Sequence, residues 1–269
     1  MKILVTFAVE AEFAPWRKLR TFRRRSVNFG RSRKESIPVR EASVGGHVVS
    51  VLLTGMGKPD TTVLDRLATS REFSLLLSSG TAGALSADLR VGDLIAPKRV
   101  GTLRDSHGFP ISSALLSAAE KRGAKIVEAL LSSDRVIDSA EEKANLSFFG
   151  SAVDMESAYL MDWSAAQKVP AITIRSISDD STHDLPVDFE QILTTKGRVR
   201  PFKLAKELWK EPAKTRELIR FGKQSKHAAS VLATFLDSFV ANLNAEMLPE
   251  EKSAANSEPR KQKLRMAAR

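Results

Sequence analysis

The sequence predicts an α/β protein with a mixed, largely parallel central sheet flanked by helices and closed by extra C-terminal helices. Three observations carry that reading. Short β-rich apolar runs alternate with helical stretches through the first two thirds of the chain. Small-residue turns punctuate the alternation. Beyond Pro201 strand signals stop and only helical periodicity remains.

Taken in order, residues 2–9 read as a buried first strand that runs into a helix over 10–19. Residues 48–53 form a second strand, followed by the turn Thr54-Gly55-Met56-Gly57 and a helix over 59–71, with Pro59 suited to its first turn. A third strand over 73–77 is expected to close on Ser78-Ser79-Gly80-Thr81-Ala82-Gly83, and a fourth lies at 92–97. Residues 125–131 read as a strand, 139–146 and 155–167 as helices, and 171–178 as a strand. Phe202, Ala205, Leu208 and Trp209 then recur at helical spacing, and a longer apolar-periodic stretch runs from Leu218 through Val231, Phe235 and Val240. These helices are expected to cap the sheet. After Leu248 the composition turns to Pro, Glu, Ser, Lys and Arg, which predicts a disordered basic tail over 249–269. No internal repeat is visible.

Composition narrows the chemistry. The chain has 269 residues, 42% hydrophobic and 28% charged, enough for a substantial core. It contains no Cys, which excludes a disulfide scaffold, a Cys zinc site and a cysteine nucleophile. His47, His107, His183 and His227 are scattered without metal-ligand spacing, so neither a metal nor another cofactor is expected. Serine hydrolysis has no Gly-x-Ser-x-Gly elbow to start from. The opening apolar stretch is interrupted by Glu10 and Glu12, and no run reaches the length of a membrane span, so a cytoplasmic protein is expected.

The net charge of +10 is unevenly spread. Residues 17–40 hold ten basic side chains and one acid, residues 198–223 nine and three, and residues 249–269 six and three. The rest of the chain is acidic. Basic appendages on an acidic body suit an anionic surface, whether lipid headgroups or nucleic acid, and equally a solvated face that aids solubility.

Three acids fall at strand ends or at the start of the following helix: Glu12, Glu156 and Asp179. Carboxyl ends of parallel strands line the ligand crevice of α/β sheets, so these groups can converge on one pocket. Singly, each has a structural reading: Glu12 and Glu156 as first-turn acids favoured by the helix dipole, and Asp179 as a helix N-cap. Gly80-Thr81-Ala82-Gly83 is neither a dinucleotide fingerprint nor a Walker loop. Spacing alone therefore stops at a small-molecule α/β enzyme with carboxylate chemistry.

Five ordered blocks add to this: residues 1–12 ending Ala8-Val9-Glu10-Ala11-Glu12; Thr54-Gly55-Met56-Gly57-Lys58; Gly80-Thr81-Ala82-Gly83-Ala84-Leu85 with Val91-Gly92-Asp93; Val153-Asp154-Met155-Glu156-Ser157-Ala158; and Arg175-Ser176-Ile177-Ser178-Asp179. Together they resemble the nucleoside phosphorylase superfamily, most closely its methylthioadenosine/S-adenosylhomocysteine nucleosidase branch, over about residues 1–190. The resemblance implies one nucleoside phosphorylase-like domain over 1–248, with a basic insert at about 17–40 and an added helical segment at about 194–217. It implies that Asp179 protonates N7 of the leaving purine, that Glu12 orients and activates a water, and that Glu156 binds the ribose hydroxyls. Met155 would pack under the sugar, Thr81 would stand near the ribose, Val136 and Ile137 would contact adenine, and Arg175 would steady the carboxylate and water. Met56, Ala82, Gly83 and Ser178 complete the implied substrate-binding set.

Phosphorylases of this superfamily place an Arg just before the glycine turn, whereas Ser78-Ser79 precedes Gly80 here, so water is the expected nucleophile. The implied activity is hydrolytic release of adenine from a 5′-substituted adenosine, by a homodimer. Val136 stands where the family has an aromatic, and the two extras, the basic insert at 17–40 and the added segment at about 194–217, resemble hopanoid-associated relatives acting on adenosylhopane. That alternative adds peripheral contact with an anionic membrane. A non-catalytic nucleotide-binding or nucleic-acid-associated module is a further alternative, disfavoured by the presence of all three acids.

Overall fold

The computed structural model describes residues 1–28, 36–105, 107–187, 194 and 214–248. The first half runs β1 (Lys2–Phe7), α1 (Glu10–Leu19), β2 (Arg23–Asn28), β3 (Ser36–Val44), β4 (His47–Leu53), α2 (Thr61–Ser70) and β5 (Leu75–Ala84). It continues through β6 (Leu94–Thr102), β7 (Phe109–Pro110), α3 (Ser113–Glu120), β8 (Lys125–Ser132), α4 (Ala140–Leu146), β9 (Ala152–Asp154), α5 (Ser157–Gln167) and β10 (Ala171–Asp179). The long α6 (Lys214–Ala241) and a 3-10 turn (Ala245–Met247) follow.

All the strands join one mixed sheet. β1 pairs in parallel with β4 and β5, and β5 in parallel with β10. β6, β8 and β9 are successively parallel, while β10 meets β6 and β9 meets β5 antiparallel. The strands β5, β10, β6, β8 and β9 thus pair in a closed cycle, and β1, β4, β3 and β2 extend from β5 as an open wing. The expected parallel centre is present. The antiparallel share comes from the β2–β3–β4 wing, from the short β7 and β9, and from the brief pairing of β10 with β6.

Strict alternation on the central strands buries both faces. Ile3, Val5, Leu75 and Leu77 face one core with Phe13 and Trp16 of α1, Leu115 of α3, and Leu232, Leu236 and Phe239 of α6. Leu4 and Leu76 face the other, with Leu64 and Leu67 of α2 and Leu160 and Trp163 of α5. α6 also meets α1 through Asp237, whose carboxylate accepts from Arg20 (2.7 and 2.8 Å) and from Trp16 Nε1 (3.2 Å).

Two expectations are corrected, and further elements appear. The segment Ser78 to Gly83 continues β5 and does not close it; its small residues serve close packing on both sides. Pro59 precedes the helix, whose N-cap is Asp60, its side chain accepting from Thr62 N. The basic stretch read as an insert contains β2, which pairs with β3, and Val27, Ile37 and Val39 turn inward. Its Arg23, Arg24 and Arg25 are exposed on an outer strand, so no apolar alternation announced it. β7, α3 and β9 were likewise not anticipated. The expected helix around Phe202, Leu208 and Trp209 and the expected tail over 249–269 lie outside the described residues. Among the described residues no helix is long and apolar enough to cross a membrane.

Candidate active site

Three segments meet at the carboxyl ends of β1, β5 and β10. Because β10 runs beside β5 in parallel register, Arg175 is paired with Gly80 and Asp179 with Gly83. α1 begins just beyond β1 and carries Glu12 in its first turn, where Oε2 accepts from the backbone N–H of Ala8 (3.1 Å) and Val9 (3.3 Å). The first-turn reading of Glu12 is therefore correct, and it leaves Oε1 free to reach across to β5. There Oε1 accepts from Thr81 N (2.8 Å) and Thr81 Oγ1 (2.9 Å).

Gly80 makes this approach possible. With φ at +151°, a Cβ at this position would lie 2.9 Å from Glu12 Oε1 and 3.2 Å from Arg175 Nη1, so Glu12 and Arg175 both lean on the one bare backbone position. Arg175 is held rigidly. Its guanidinium is buried and donates to Asp154 Oδ2 (2.8 Å), Ser157 Oγ (2.8 Å) and Ser78 Oγ (3.1 Å), while Asp154 also accepts from Ser132 Oγ (2.6 Å). A buried arginine with a carboxylate and two hydroxyls around it satisfies its charge inside the protein.

Glu156 is the N-cap residue of α5, one position before the first-turn place expected, and its side chain makes no cap hydrogen bond. It accepts from Gly57 N (2.7 Å) in the turn after β4, where Gly57 has φ of +78° and Met155 Cε lies near the glycine. Burial, then the neighbouring Asp154 charge, push Glu156 up to about 8; Glu12 adds to the rise, while Arg175 and the Gly57 N–H oppose it. Burial thus favours the protonated form of Glu156, in which its carboxyl can donate as well as accept.

Asp179 ends β10, and no helix starts there, which corrects the N-cap expectation. Its Oδ1 accepts from Ser178 Oγ (2.7 Å) and its Oδ2 from Lys143 Nζ (2.7 Å), and a Cβ on Gly83 would come within 3.0 Å of Oδ2. Asp179 also lines a shallow, open cleft together with Asp180, His183 and Leu185 and with Glu217, Arg220 and Phe221 of α6. Glu12 and Glu156 are not part of its walls.

Glu12 and Asp179 consequently flank the same stretch of β5, one at Gly80–Thr81 and one at Gly83. Thr81, Gly83, Ser178 and Arg175 lie on or against that stretch, while Met155 lies beside Gly57. Ala82 reaches Ser178 through its carbonyl, and the side chains of Ala82 and Ile137 are buried in core clusters. Val136 and Met56 are half-buried. The residue types present favour acid–base work on a neutral polar substrate. Among the described residues no group of His, Asp and Glu is arranged to hold a metal ion.

Sequence reasoning missed Asp154, Ser157, Ser78 and Lys143. Asp154 and Ser157 bracket Glu156, and that proximity was the available signal. Lys143 gave none, since within Ala-Glu-Glu-Lys-Ala-Asn-Leu it has the pattern of a solvated helix charge.

A family model described as Phosphorylase superfamily matches residues 2–210. A 5′-methylthioadenosine/S-adenosylhomocysteine nucleosidase of Shewanella denitrificans is 26% identical over 223 residues, covering 73% of this chain and 94% of its own. One of Shewanella sediminis is 26% identical over 179 residues, covering 57% and 78%. Among solved structures, a mutant nucleosidase of Helicobacter pylori with 5′-methylthioadenosine in the active site aligns with TM-score 0.65 at 21% identity, covering 90% of this chain and 99% of that one. A futalosine hydrolase mutant of the same organism aligns with TM-score 0.66 at 21% identity, covering 90% and 100%. Both structures share the fold of this chain.

Proposed function

The chain belongs to the phosphorylase superfamily, and on that premise we propose that it is a nucleosidase that hydrolyses the N-ribosidic bond of a 5′-substituted adenosine such as methylthioadenosine or S-adenosylhomocysteine. The relatives named for that reaction support it. The observation that carries it is the pair of acids, Glu12 and Asp179, on either side of one glycine-rich stretch of β5.

An N-ribosidic bond breaks through an oxocarbenium-like state that needs a proton on the departing base, support for the cationic sugar and a nucleophile on the opposite face. In this reading Asp179 gives its proton to N7, Ser178 orients it, and Glu12 takes the proton of the attacking water beside Thr81 and Arg175. Glu156 binds the ribose hydroxyls, with Met155 beneath the sugar. Met56, Val136 and the backbone of Ala82, Gly83 and Ile137 complete the lining. Arg175 is already committed to Asp154, Ser78 and Ser157, and this favours water over phosphate as nucleophile. The same reading takes the protein as a cytoplasmic homodimer, as the resemblance implies. The lipid-linked nucleoside alternative has no specific support among these relatives.

The test is adenine release from 5′-methylthioadenosine with and without phosphate. The expected result is phosphate-independent release, lowered about 10²- to 10⁴-fold by Asp179→Asn and comparably by Glu12→Gln, with the melting temperature of each variant close to the parent's. Release that requires phosphate, or an Asp179→Asn protein of near-parental activity, defeats the reading.

A further inference from the structure

Lys143 takes no part in the reaction just described, yet it is the most deeply buried charge near it. Its side chain is 0% exposed. Burying an ammonium is costly unless its protons are all met. Here Nζ donates to Asp179 Oδ2 (2.7 Å), to the Asp180 carbonyl (2.9 Å) and to the His183 carbonyl (3.4 Å). Holding the loop after β10 against α4 does not require this cation. Ala140 N donates to Asp184 Oδ1 (2.7 Å), and Leu185 N donates to the Asp138 carbonyl (2.7 Å), so the same loop is already fastened at two other points.

Of its three contacts, only the one to Asp179 Oδ2 reaches a group placed in the reaction. We propose that Lys143 is a positioning residue for proton delivery: it grips Asp179 by Oδ2 and neutralises the carboxylate that forms as the proton leaves. The proposal rests on Asp179 being the proton donor. In the step itself the proton passes from the Asp179 carboxyl to N7 while the electrons of the C1′–N9 bond pass to the base. Water adds its oxygen to C1′ and gives a proton to Glu12, and solvent afterwards returns a proton to Asp179 and takes one from Glu12. Lys143 keeps its three protons throughout. The two backbone carbonyls hold the ammonium while Asp179 is neutral, and the contact with Oδ2 strengthens as negative charge develops there.

The experiment compares two leaving groups. Adenine needs a proton to depart; nitrophenolate does not. Parent and Lys143→Met proteins are assayed on 5′-methylthioadenosine and on a 4-nitrophenyl riboside bearing the same 5′ group. For adenine release, kcat is expected to fall about 30- to 100-fold in the variant, with KM within about threefold, while nitrophenol release stays within about threefold of the parent. In Lys143→Ala, added methylammonium should restore part of the adenine release and leave nitrophenol release unchanged. An equal loss on both substrates, no loss on either, or failure of both variants to fold would make Lys143 a structural residue and overturn the proposal. An Asp179→Asn protein that still releases adenine would instead strike the function reading. Inactive Asp179→Asn beside an unaffected Lys143→Met would strike only the role of Lys143.

Discussion

Glu156 shows what burying one carboxyl among other acids costs the fold. It is 8% exposed, faces Asp154 and Glu12, and is pushed up to about 8. A carboxyl raised this far contributes its full stability below about pH 4.5, where it is protonated in the folded and unfolded chain alike. That contribution is lost as pH rises toward about 8, at up to about 1.4 kcal/mol per pH unit, because only the unfolded chain can ionise freely. Glu156→Gln is uncharged at every pH. Urea unfolding at a series of pH values should therefore find the variant gaining on the parent between about pH 5 and 8; curves that stay parallel would contradict the placement of Glu156 in a dry, acidic surrounding. Arg175 stands at the opposite extreme, since its charge is met inside the protein and its orientation is fixed before any substrate arrives.

At the scale of elements, β5 does the organising. It is central, paired with β1, β9 and β10, and its glycines admit the carboxyl groups of Glu12 from α1 and Asp179 from β10. A methyl group at Gly80 would meet Glu12 Oε1 at 2.9 Å and would also strain a backbone at φ +151°. Gly80→Ala is accordingly expected to lose about 1–3 kcal/mol of stability and at least about tenfold in adenine release. Gly46, with φ +81° but open space where a Cβ would go, is the control, with Gly46→Ala predicted to touch stability alone. α1 has two attachments of different kinds: Glu12 at its start ties it to β5, and Arg20 and Trp16 near its end tie it to Asp237 of α6. The Arg20 pair is half exposed and worth little by itself, whereas the buried Trp16 ring anchors the helix in the core.

For the molecule as a whole, α6 is part of the main core. Leu232, Leu236 and Phe239 are completely buried, and Phe235 stacks on Phe239 at 5.5 Å. Phe239→Ala should cost about 3–5 kcal/mol. If the helix is one cooperative unit with the sheet, the denaturant midpoint falls while the slope of the transition keeps its value; a separate early transition would show that α6 unfolds on its own. The charge distribution also becomes intelligible at this scale. Arg23, Arg24 and Arg25 are exposed on β2, the outermost strand of the wing, where positive side chains discourage pairing with another chain's edge.

Local pattern determined most of the elements and the three acids. Apolar runs of the right length marked β1, β4, β8 and β10, helical periodicity marked α1, α5 and α6, and five short blocks in order carried the family. What periodicity could not convey was pairing. The closed cycle of strands, the hairpin hidden in a run of arginines, and the continuation of β5 through its glycines all depend on partners distant along the chain. The same holds for the site. Glu12, Glu156 and Asp179 could be named as candidates because acids beside strand ends stand out locally. Arg175 bound to Asp154 and Lys143 bound to Asp179 were settled by tertiary structure alone, since a charge declares itself buried only when the groups that satisfy it have been brought around it.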